Sequence, residues 1–245
     1  MTLNTYRFYR NKFQSKYGEL VICNDSFNYW RKDIFPFYKQ NRKEKLKSSE
    51  LDWNEIFSSM SKIREEIKSI FPYKNITVDR TEADDIISVI CKHKRDEKIL
   101  IISSDKDFQQ LQRYDNVEQY SPVKREFLIC EDPELFLLEH IIKGDSSDGI
   151  PNILSDDDVF IMQDKRQKPC GKKKISVIKE ELSEWTETDK WKRNQSLIDL
   201  NSLPKEYESA ILSEYEKDPI GKRSNMLNYF IQNKLKNLMS NIEEF

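Results

Sequence analysis

Acidic residues gather in four short segments of this chain, and their types and spacing suit the binding of divalent cations. Asp105 and Asp107 follow a strongly apolar stretch, and because residues two apart on a strand point to the same face, their carboxylates can converge. The other three segments follow or precede apolar patterns as well. The candidate metal ligands are Asp25, Glu82, Asp84, Asp85, Asp105, Asp107, Asp145 and Asp148.

Carboxylates held close together repel one another unless cations neutralise them. Ligation by oxygen alone selects Mg²⁺, or Mn²⁺ as a second choice. Two such ions about 3.5–4 Å apart can clamp the attacking and leaving oxygens of an in-line phosphodiester hydrolysis. The chain has 4 cysteines, far apart, and 2 histidines, which argues against a Cys/His zinc site. The expected chemistry is therefore phosphodiester hydrolysis with two Mg²⁺ ions.

Each segment alone has a simpler explanation. The acids at 82–85 would stabilise a helix N-terminus, and those at 145–148 are typical of turns and helix caps. A basic run such as 39–47 is often a solvated face, and His93 and His140 are interpreted as structural residues. The order of the acidic segments favours a site, because α/β folds place active sites beyond the carboxyl ends of their strands.

The elements that must position these acids are visible as apolar patterns. Strands are predicted at 20–24, which is apolar and β-branched, at 75–79, a short candidate, and at 98–104, a continuous apolar run. Helical periodicity lies between them. This alternation predicts an α/β fold over 1–142 with a mostly parallel central sheet flanked by helices. Helical patterns dominate afterwards and predict a smaller helical domain over 143–245.

Composition bounds the class of protein. The chain has 245 residues, a formal net charge of −2 and only 5 glycines, which argues against a glycine-rich phosphate cradle. We expect no secretory signal and no membrane span, reduced cysteines and a cytoplasmic location. Basic residues concentrate at 31–47 and 165–179, and aspartates at 145–164. Such segregation fits a protein that grips a polyanion and also holds cations.

Three motifs together resemble the 5′-nuclease (flap endonuclease) superfamily: T-E-A-D-D at 81–85, I-I-S-S-D-K-D-F at 101–108 and G-D-S-S-D-G-I-P at 144–151. The segment Tyr38–Arg42 is similar to that family's Y-K-x-x-R arch motif, and the likeness extends to the C-terminal N-I-E-E-F. The resemblance implies a PIN-like nuclease domain with an arch over about 31–60, followed by a helical domain that binds duplex.

The resemblance also implies roles for individual residues. Four acids would hold the catalytic metal: Asp25, Glu82, Asp84 and Asp105. Three more would hold the second ion, with Asp85 in support: Asp107, Asp145 and Asp148. Lys39 and Arg42 would be catalytic, because they would reach the scissile phosphate, and Tyr38 would stack on a base. The nucleic-acid contacts would be Arg31, Tyr38, Lys39, Arg42 and Lys43.

The implied activity is 5′→3′ exonuclease or flap endonuclease cleavage, with ribonuclease H activity. The substrates would be RNA·DNA and DNA duplexes with a 5′ end or flap, and the role would be RNA-primer removal in phage lagging-strand DNA replication. A single-strand-binding protein would be a partner, and the protein would be a monomer.

The chain departs from the family pattern in two places. No acid-bearing apolar strand precedes Asp25, so we expect a catalytic metal site one ligand short, unless an upstream start or another chain supplies that strand. After Pro151 the family's glycine-rich loop is replaced by N-I-L-S-D-D-D, and the basic stretch 165–174 is expected to contact the duplex backbone instead.

Two alternatives remain from the sequence. The first is a non-catalytic nucleic-acid-binding homologue that has lost the first metal-ligand strand. The second is a phosphatase of the haloacid-dehalogenase type, since D-K-D-F and G-D-S-S-D resemble its motifs. Gln109 stands where that class has Thr or Val, which disfavours it.

Overall fold

A computed structural model of the chain describes residues 2–42, 49–162 and 164–245. The three strands expected from the sequence are present, together with two more. The strands are β1 (Val21–Cys23), β2 (Lys74–Ile76), β3 (Ile99–Ile102), β4 (Val117–Ser121) and β5 (Glu126–Leu128).

Helices precede, connect and follow the strands. The α-helices are α1 (Thr2–Tyr17), α2 (Arg31–Ile34), α3 (Trp53–Ile70), α4 (Ala83–His93), α5 (Pro133–Lys143), α6 (Lys172–Glu180), α7 (Leu182–Trp185), α8 (Asp189–Ile198), α9 (Lys205–Tyr215), α10 (Arg223–Gln232) and α11 (Lys236–Met239). Short 3₁₀ helices cover Lys106–Arg113, Leu200–Ser202 and Ile242–Glu244. No helix within the described residues is long and apolar enough to cross a membrane.

The strands run mostly parallel, as the sequence predicts, but in the described residues they form two sheets. β1 pairs in parallel with β2, while β3 pairs in parallel with β4 and β4 pairs antiparallel with β5. Within the described part of the chain, β1 and β3 each have one edge without a ladder partner. Asp25 and Asp105 follow the carboxyl ends of these two strands.

Helices cover both sheets. Apolar residues of α4 pack against β1 and also contact Ile99 at the start of β3, so that one helix spans the two sheets. On the α1 side, the rings of Phe13 and Tyr120 meet with centroids 5.0 Å apart. The layered α/β architecture expected from the sequence is therefore confirmed.

The two halves of the chain share their cores. The largest apolar cluster joins Phe35 and Tyr38 of the first half to Ile150, Trp191 and other residues after 143. Near the C-terminus, Met226 and Phe230 of α10 pack on Ile67 and Phe71 at the end of α3. This shared packing positions the loop at 144–151 beside the 3₁₀ helix after β3, where Lys106 contacts Asp145.

Candidate metal centre

A pocket beyond the carboxyl end of β3 brings together acids from three of the four acidic segments. Its lining includes Asp84, Asp107, Asp145 and Asp148, with Arg31, Tyr38 and apolar residues of α8 and the turn after it. Each carboxylate comes from the first turn of a helix or from a tight loop. The convergence expected from the sequence is thus present for these four acids.

Asp84 lies in the first turn of α4, the helix that follows β2. The pKa of Asp84 is raised to about 7, chiefly by burial; the charge of Lys39 opposes this rise, and the charges of Glu82 and Asp105 contribute to it. A carboxylate with such neighbours is stabilised in its charged form only by an additional cation.

Asp107 lies in the 3₁₀ helix after β3, and its Oδ1 is buried without a hydrogen-bond partner among the described residues. Burial raises the pKa of Asp107 to about 6; the charges of Asp105 and Asp145 add to this, and those of His140 and Lys106 oppose it. Buried polar atoms are nearly always paired, so this free oxygen indicates a place for a ligand.

Asp145 differs from Asp107, because both of its oxygens have partners. Oδ1 accepts hydrogen bonds from the Ser147 backbone N at 2.8 Å and from its Oγ at 2.6 Å. Oδ2 lies 3.2 Å from His140 Nε2 and 3.1 Å from Lys106 Nζ. Burial would raise the pKa of Asp145, but these hydrogen bonds outweigh it and hold the pKa well below its usual range.

Gly144 makes the turn that delivers Asp145. Its φ is +67°, and a Cβ there would lie 2.4 Å from the carbonyl oxygens of Ile150 and Pro151. Only glycine tolerates both the left-handed conformation and this close approach. The loop also closes on itself, because Ile150 N donates a 2.7 Å hydrogen bond to the Asp145 carbonyl.

His140 belongs to this centre, although the sequence interpretation treated it as structural. Its side chain lies on α5, with Nδ1 3.6 Å from Asp107 Oδ1. One ligand atom from each of Asp107, His140 and Asp145 lies within 4.8 Å of the others. The only sign of this role in the sequence is that a histidine stands five residues before Asp145, on the other side of a helix end. This spacing matches no recognised metal-binding motif.

A second group of side chains pairs the remaining acids with the basic segment. Lys39 Nζ contacts Glu82 Oε1 and lies 3.6 Å from Asp148 Oδ2, while Arg42 contacts Asp148 Oδ1. Burial raises the pKa of Asp148, although the charges of Lys39 and Arg42 oppose this. These cations therefore lie beside the acidic pocket, paired with Glu82 and Asp148.

Arg31 and Asp85 form a buried ion pair instead of facing a ligand. Arg31 NH2 donates to Asp85 Oδ1 at 2.7 Å, and Arg31 NH1 donates to Asp85 Oδ2 and Glu82 Oε2, each at 2.9 Å. Asp85 Oδ2 also accepts from Trp30 Nε1 at 3.1 Å and from the Glu82 backbone N at 2.9 Å. With every oxygen of Asp85 engaged, the structure does not bring it to the pocket as a free ligand.

The burial of Arg31 and Tyr38 does not fit their predicted contact with nucleic acid. Arg31 is 2% exposed and Tyr38 4% exposed. The Tyr38 hydroxyl donates to Glu82 Oε2 at 2.8 Å, and the buried ring packs edge-on against Tyr29 with centroids 6.3 Å apart, so no face is open to a base. The two side chains instead attach α2 and the segment after it to the start of α4, because buried Glu82 and Asp85 require polar or charged partners. Lys43, also predicted to bind nucleic acid, lies outside the described residues.

Asp25 and Asp105 are exposed at the edge of the centre. Asp25 Oδ1 accepts a 2.8 Å hydrogen bond from Ala83 N at the start of α4, and Asp105 Oδ1 accepts a 3.0 Å bond from Asp107 N. Each of these hydrogen bonds occupies one carboxylate oxygen of the aspartate and leaves the other oxygen to solvent or a ligand. The donors present, an unpartnered buried oxygen and several carboxylates that burial disfavours as anions, fit a divalent cation.

Matches to family models cover the chain from end to end. The N-terminal resolvase-like domain of 5′-3′ exonucleases matches residues 2–136. The C-terminal domain of T4 ribonuclease H matches residues 131–245. The chain therefore belongs to the 5′-3′ exonuclease family of nucleases.

Individual proteins show which members of this family the chain is similar to. Ribonuclease H of Enterobacteria phage T4 is 33% identical over 100% of this chain and 85% of its own length. This match confirms the T-even phage ribonuclease H resemblance that the whole-chain motifs suggested. A 5′-3′ exonuclease of Buchnera aphidicola (subsp. Schizaphis graminum) is 30% identical over 62% of this chain and 53% of its own length.

Solved structures support the fold. The T5 5′-exonuclease with bound zinc ions superposes with a TM-score of 0.64 at 18% identity, covering 98% of this chain and 90% of that one. The phage T5 flap endonuclease in a complex with DNA and metal ions gives 0.59 at 19% identity, covering 99% and 91%. At this identity the likeness concerns the fold alone.

Proposed function

We propose that this protein is a metal-dependent 5′→3′ nuclease that acts on DNA and RNA·DNA duplexes with a 5′ end or flap. Its role would be to remove RNA primers during phage DNA replication in the host cytoplasm. The observation that carries the proposal is the pocket in which Asp107 keeps a buried, unpartnered oxygen among other carboxylates. The T4 ribonuclease H likeness over the whole chain supports the same activity.

Within this proposal, carboxylates of the pocket and its edge hold two Mg²⁺ ions, which Mn²⁺ can replace. Asp25, Asp84 and Asp105 would hold the first ion, and Asp107 and Asp148 would hold the second. When bound, such ions stabilise charge on the reacting phosphate and lower the pKa of water. Glu82 and Asp85 act indirectly, because their oxygens are held by Arg31, Lys39 and other donors.

Lys39 and Arg42 have the position needed to bind the scissile phosphate. Burial lowers the pKa of Lys39, but Glu82 and Asp148 outweigh that effect and raise it, so the amine stays charged. The Arg42 side chain is 51% exposed and holds Asp148 at the mouth of the pocket. Both cations can exchange a carboxylate for a phosphate oxygen without leaving the centre. They would orient the phosphate and stabilise its developing charge.

Duplex binding is assigned to the first turn of α6 and the residues before it. Lys172, Lys173 and Lys174 occupy that turn, all exposed, and the turn contains no acid. Within the described residues none of these lysines forms a salt bridge. Cations at a helix N-terminus are unfavourable by themselves, so the arrangement favours an anionic partner such as a phosphate backbone.

Replacing Lys172 and Lys173 by Glu should weaken duplex binding about tenfold. It should also reduce the slope of log K against the logarithm of the salt concentration by about two, one for each lost phosphate contact. Folding should be unaffected, because acids at a helix N-terminus are stabilising. Binding would be measured by fluorescence anisotropy at several salt concentrations. Lys205→Glu, at the first position of α9, is the matched control. Equal effects of the two changes would refute a specific role for α6.

The pH dependence of stability should report the acidic pocket. The pKa of Asp84 is raised to about 7 and that of Asp107 to about 6, above the value near 3.9 of an unfolded chain. The metal-free native state therefore binds more protons than the unfolded state between about pH 4 and 7. The stabilisation from these groups is complete below pH 4 and is lost as the pH rises to 7.

Urea unfolding in EDTA at pH 5, 6 and 7 measures this loss, and Asp84→Asn should flatten the decline. Bound divalent ions need charged carboxylates, so added Mg²⁺ should stabilise the protein more at pH 8 than at pH 5.5. A wild-type slope between pH 5 and 7 that Asp84→Asn leaves unchanged would contradict the assignment.

A non-catalytic nucleic-acid-binding role is the second candidate. It is favoured by one observation: β1 and β3 each have an edge without a partner in the described part of the chain, next to Asp25 and Asp105. A strand at that position would carry a further ligand in the first proposal. In the nuclease proposal the protein is a monomer, and it contacts a single-strand-binding protein as a partner.

A cleavage assay separates the two candidates. A 5′-flap DNA and an RNA·DNA hybrid, each labelled at the 5′ end, would be incubated with Mg²⁺, with Mn²⁺ or with EDTA. The same reactions would be repeated with a longer chain extended upstream. Metal-dependent release of short 5′ products supports the nuclease. Tight binding without product in every reaction would support the binding-only role.

A further inference from the structure

We infer that His140 is a metal ligand through Nδ1 and that, with Asp107, it makes the second cation position selective for Mn²⁺ over Mg²⁺. The inference deepens the proposed function, since it concerns the same pocket and specifies which ion that pocket prefers. It rests on the geometry of two buried atoms on α5 and on the 3₁₀ helix after β3.

His140 Nδ1 and Asp107 Oδ1 are both buried, and neither has a hydrogen-bond partner among the described residues. The two atoms are 3.6 Å apart, too far for a hydrogen bond between them. Two neighbouring ligands about 2.1 Å from one octahedral cation lie about 3.0 Å apart. A closing movement of about 0.6 Å would therefore bring these two atoms to the spacing of two ligands of one cation.

The other ring nitrogen is already fixed. His140 Nε2 lies 3.2 Å from Asp145 Oδ2, whose second oxygen is held by Ser147. In the neutral ring that a cation would bind, Nε2 donates to this carboxylate and Nδ1 presents its lone pair towards Asp107. Metal-binding histidines usually donate their second nitrogen to a carboxylate in this way, which fixes the tautomer and orients the ring.

A nitrogen donor changes which cation is preferred. Mg²⁺ takes oxygen ligands and keeps its waters, whereas imidazole binds first-row transition metals more strongly. Asp145, with both oxygens occupied, orients the ring. The Asp107–His140 pair should therefore bind Mn²⁺ more tightly than an all-carboxylate site would, and should gain little for Mg²⁺.

Pulsed electron paramagnetic resonance of bound Mn²⁺ tests this directly, because a ligating imidazole adds ¹⁴N modulation to the spin echo. The chain has 2 histidines, so the signal has one competing source. His93 lies on the far end of α4 against Glu208 and serves as the matched control. With one equivalent of Mn²⁺, wild type and His93→Gln should show the modulation and His140→Gln should not.

His140→Gln suits the test, because its amide nitrogen can keep the hydrogen bond to Asp145 while the ligand at Nδ1 is lost. Mn²⁺ affinity, measured by titration, should fall on the order of tenfold in His140→Gln, within the range for disturbed metal sites. Mg²⁺ affinity should change less than about threefold, since magnesium gains little from nitrogen. Circular dichroism would establish that the variant is folded.

The wild-type spectrum decides the inference even if the variant is unstable. Bound Mn²⁺ without ¹⁴N modulation would overturn it and would leave His140 as a bridge between two aspartates. Cleavage with Mg²⁺ would then still support the proposed nuclease. Nitrogen modulation in a protein that shows no cleavage would refute the proposed nuclease function but support His140 as a metal ligand.

Discussion

Asp105→Asn is expected to reduce metal-dependent cleavage by at least about 10³-fold, or about 4 kcal/mol of transition-state stabilisation. The reason is electrostatic. Asp105 is exposed at the edge of the pocket, and its charge already raises the pKa of both Asp84 and Asp107. Its removal takes a full negative charge from the position proposed for the first ion.

The change is nearly neutral for the fold, so a lost activity can be attributed to the charge. Asp105 Oδ1 caps the 3₁₀ helix by accepting from Asp107 N, and an asparagine oxygen can accept the same bond. Single-turnover cleavage of a 5′-flap substrate measures the effect, with DNA binding in EDTA expected to stay within about twofold of wild type, because one exposed charge alters exposed interactions little.

Asp132→Asn is the matched control, because Asp132 caps α5 through the same kind of bond, to Leu135 N at 2.8 Å. It should cleave at the wild-type rate. Cleavage by Asp105→Asn at a rate equal to that of Asp132→Asn would show that the carboxylate holds no catalytic ion.

The sequence predicts which acids converge better than it predicts what each acid does. Asp84, Asp107, Asp145 and Asp148, which come from three of the four acidic segments, line one pocket. Asp85 has the same type and nearly the same position as Asp84, yet one residue along a helix turns it by about 100° towards the interior and Arg31. A charge pattern cannot distinguish a cation that is exposed from one already paired with a buried acid.

The prediction of the fold from the sequence was also incomplete. β1, β2 and β3 were predicted within a few residues, and the continuous apolar run at β3 was the strongest signal, because buried parallel strands lack a polar face. β4 (Val117–Ser121) and β5 (Glu126–Leu128) were missed, since both are short and mix charged with apolar residues. His140 was missed for a related reason: its role depends on the angle at which α5 meets the loop at 144–151, which no local pattern encodes.

Asp85→Asn should have the opposite signature to Asp105→Asn: a large loss of stability. Asp85 is fully buried and binds Arg31 through both oxygens. An amide cannot accept at both positions, so Arg31 keeps a buried charge with half of its partner removed. Breaking a buried pair in this way costs about 3–5 kcal/mol in the free energy of unfolding. Urea unfolding in EDTA measures it without stabilisation from bound metal.

A double-mutant cycle with Arg31→Met separates the ion pair from the other contacts of Asp85. If the pair dominates, the double variant should be less destabilised than the sum of the single variants, since both charges have left the interior. Strict additivity would mean that Asp85 acts mainly through Trp30 Nε1 and the Glu82 backbone, which the cycle leaves intact. Because Arg31 also contacts Glu82, which in turn contacts Lys39, coupling between Arg31 and Asp85 would indicate that this buried pair stabilises the position of Lys39.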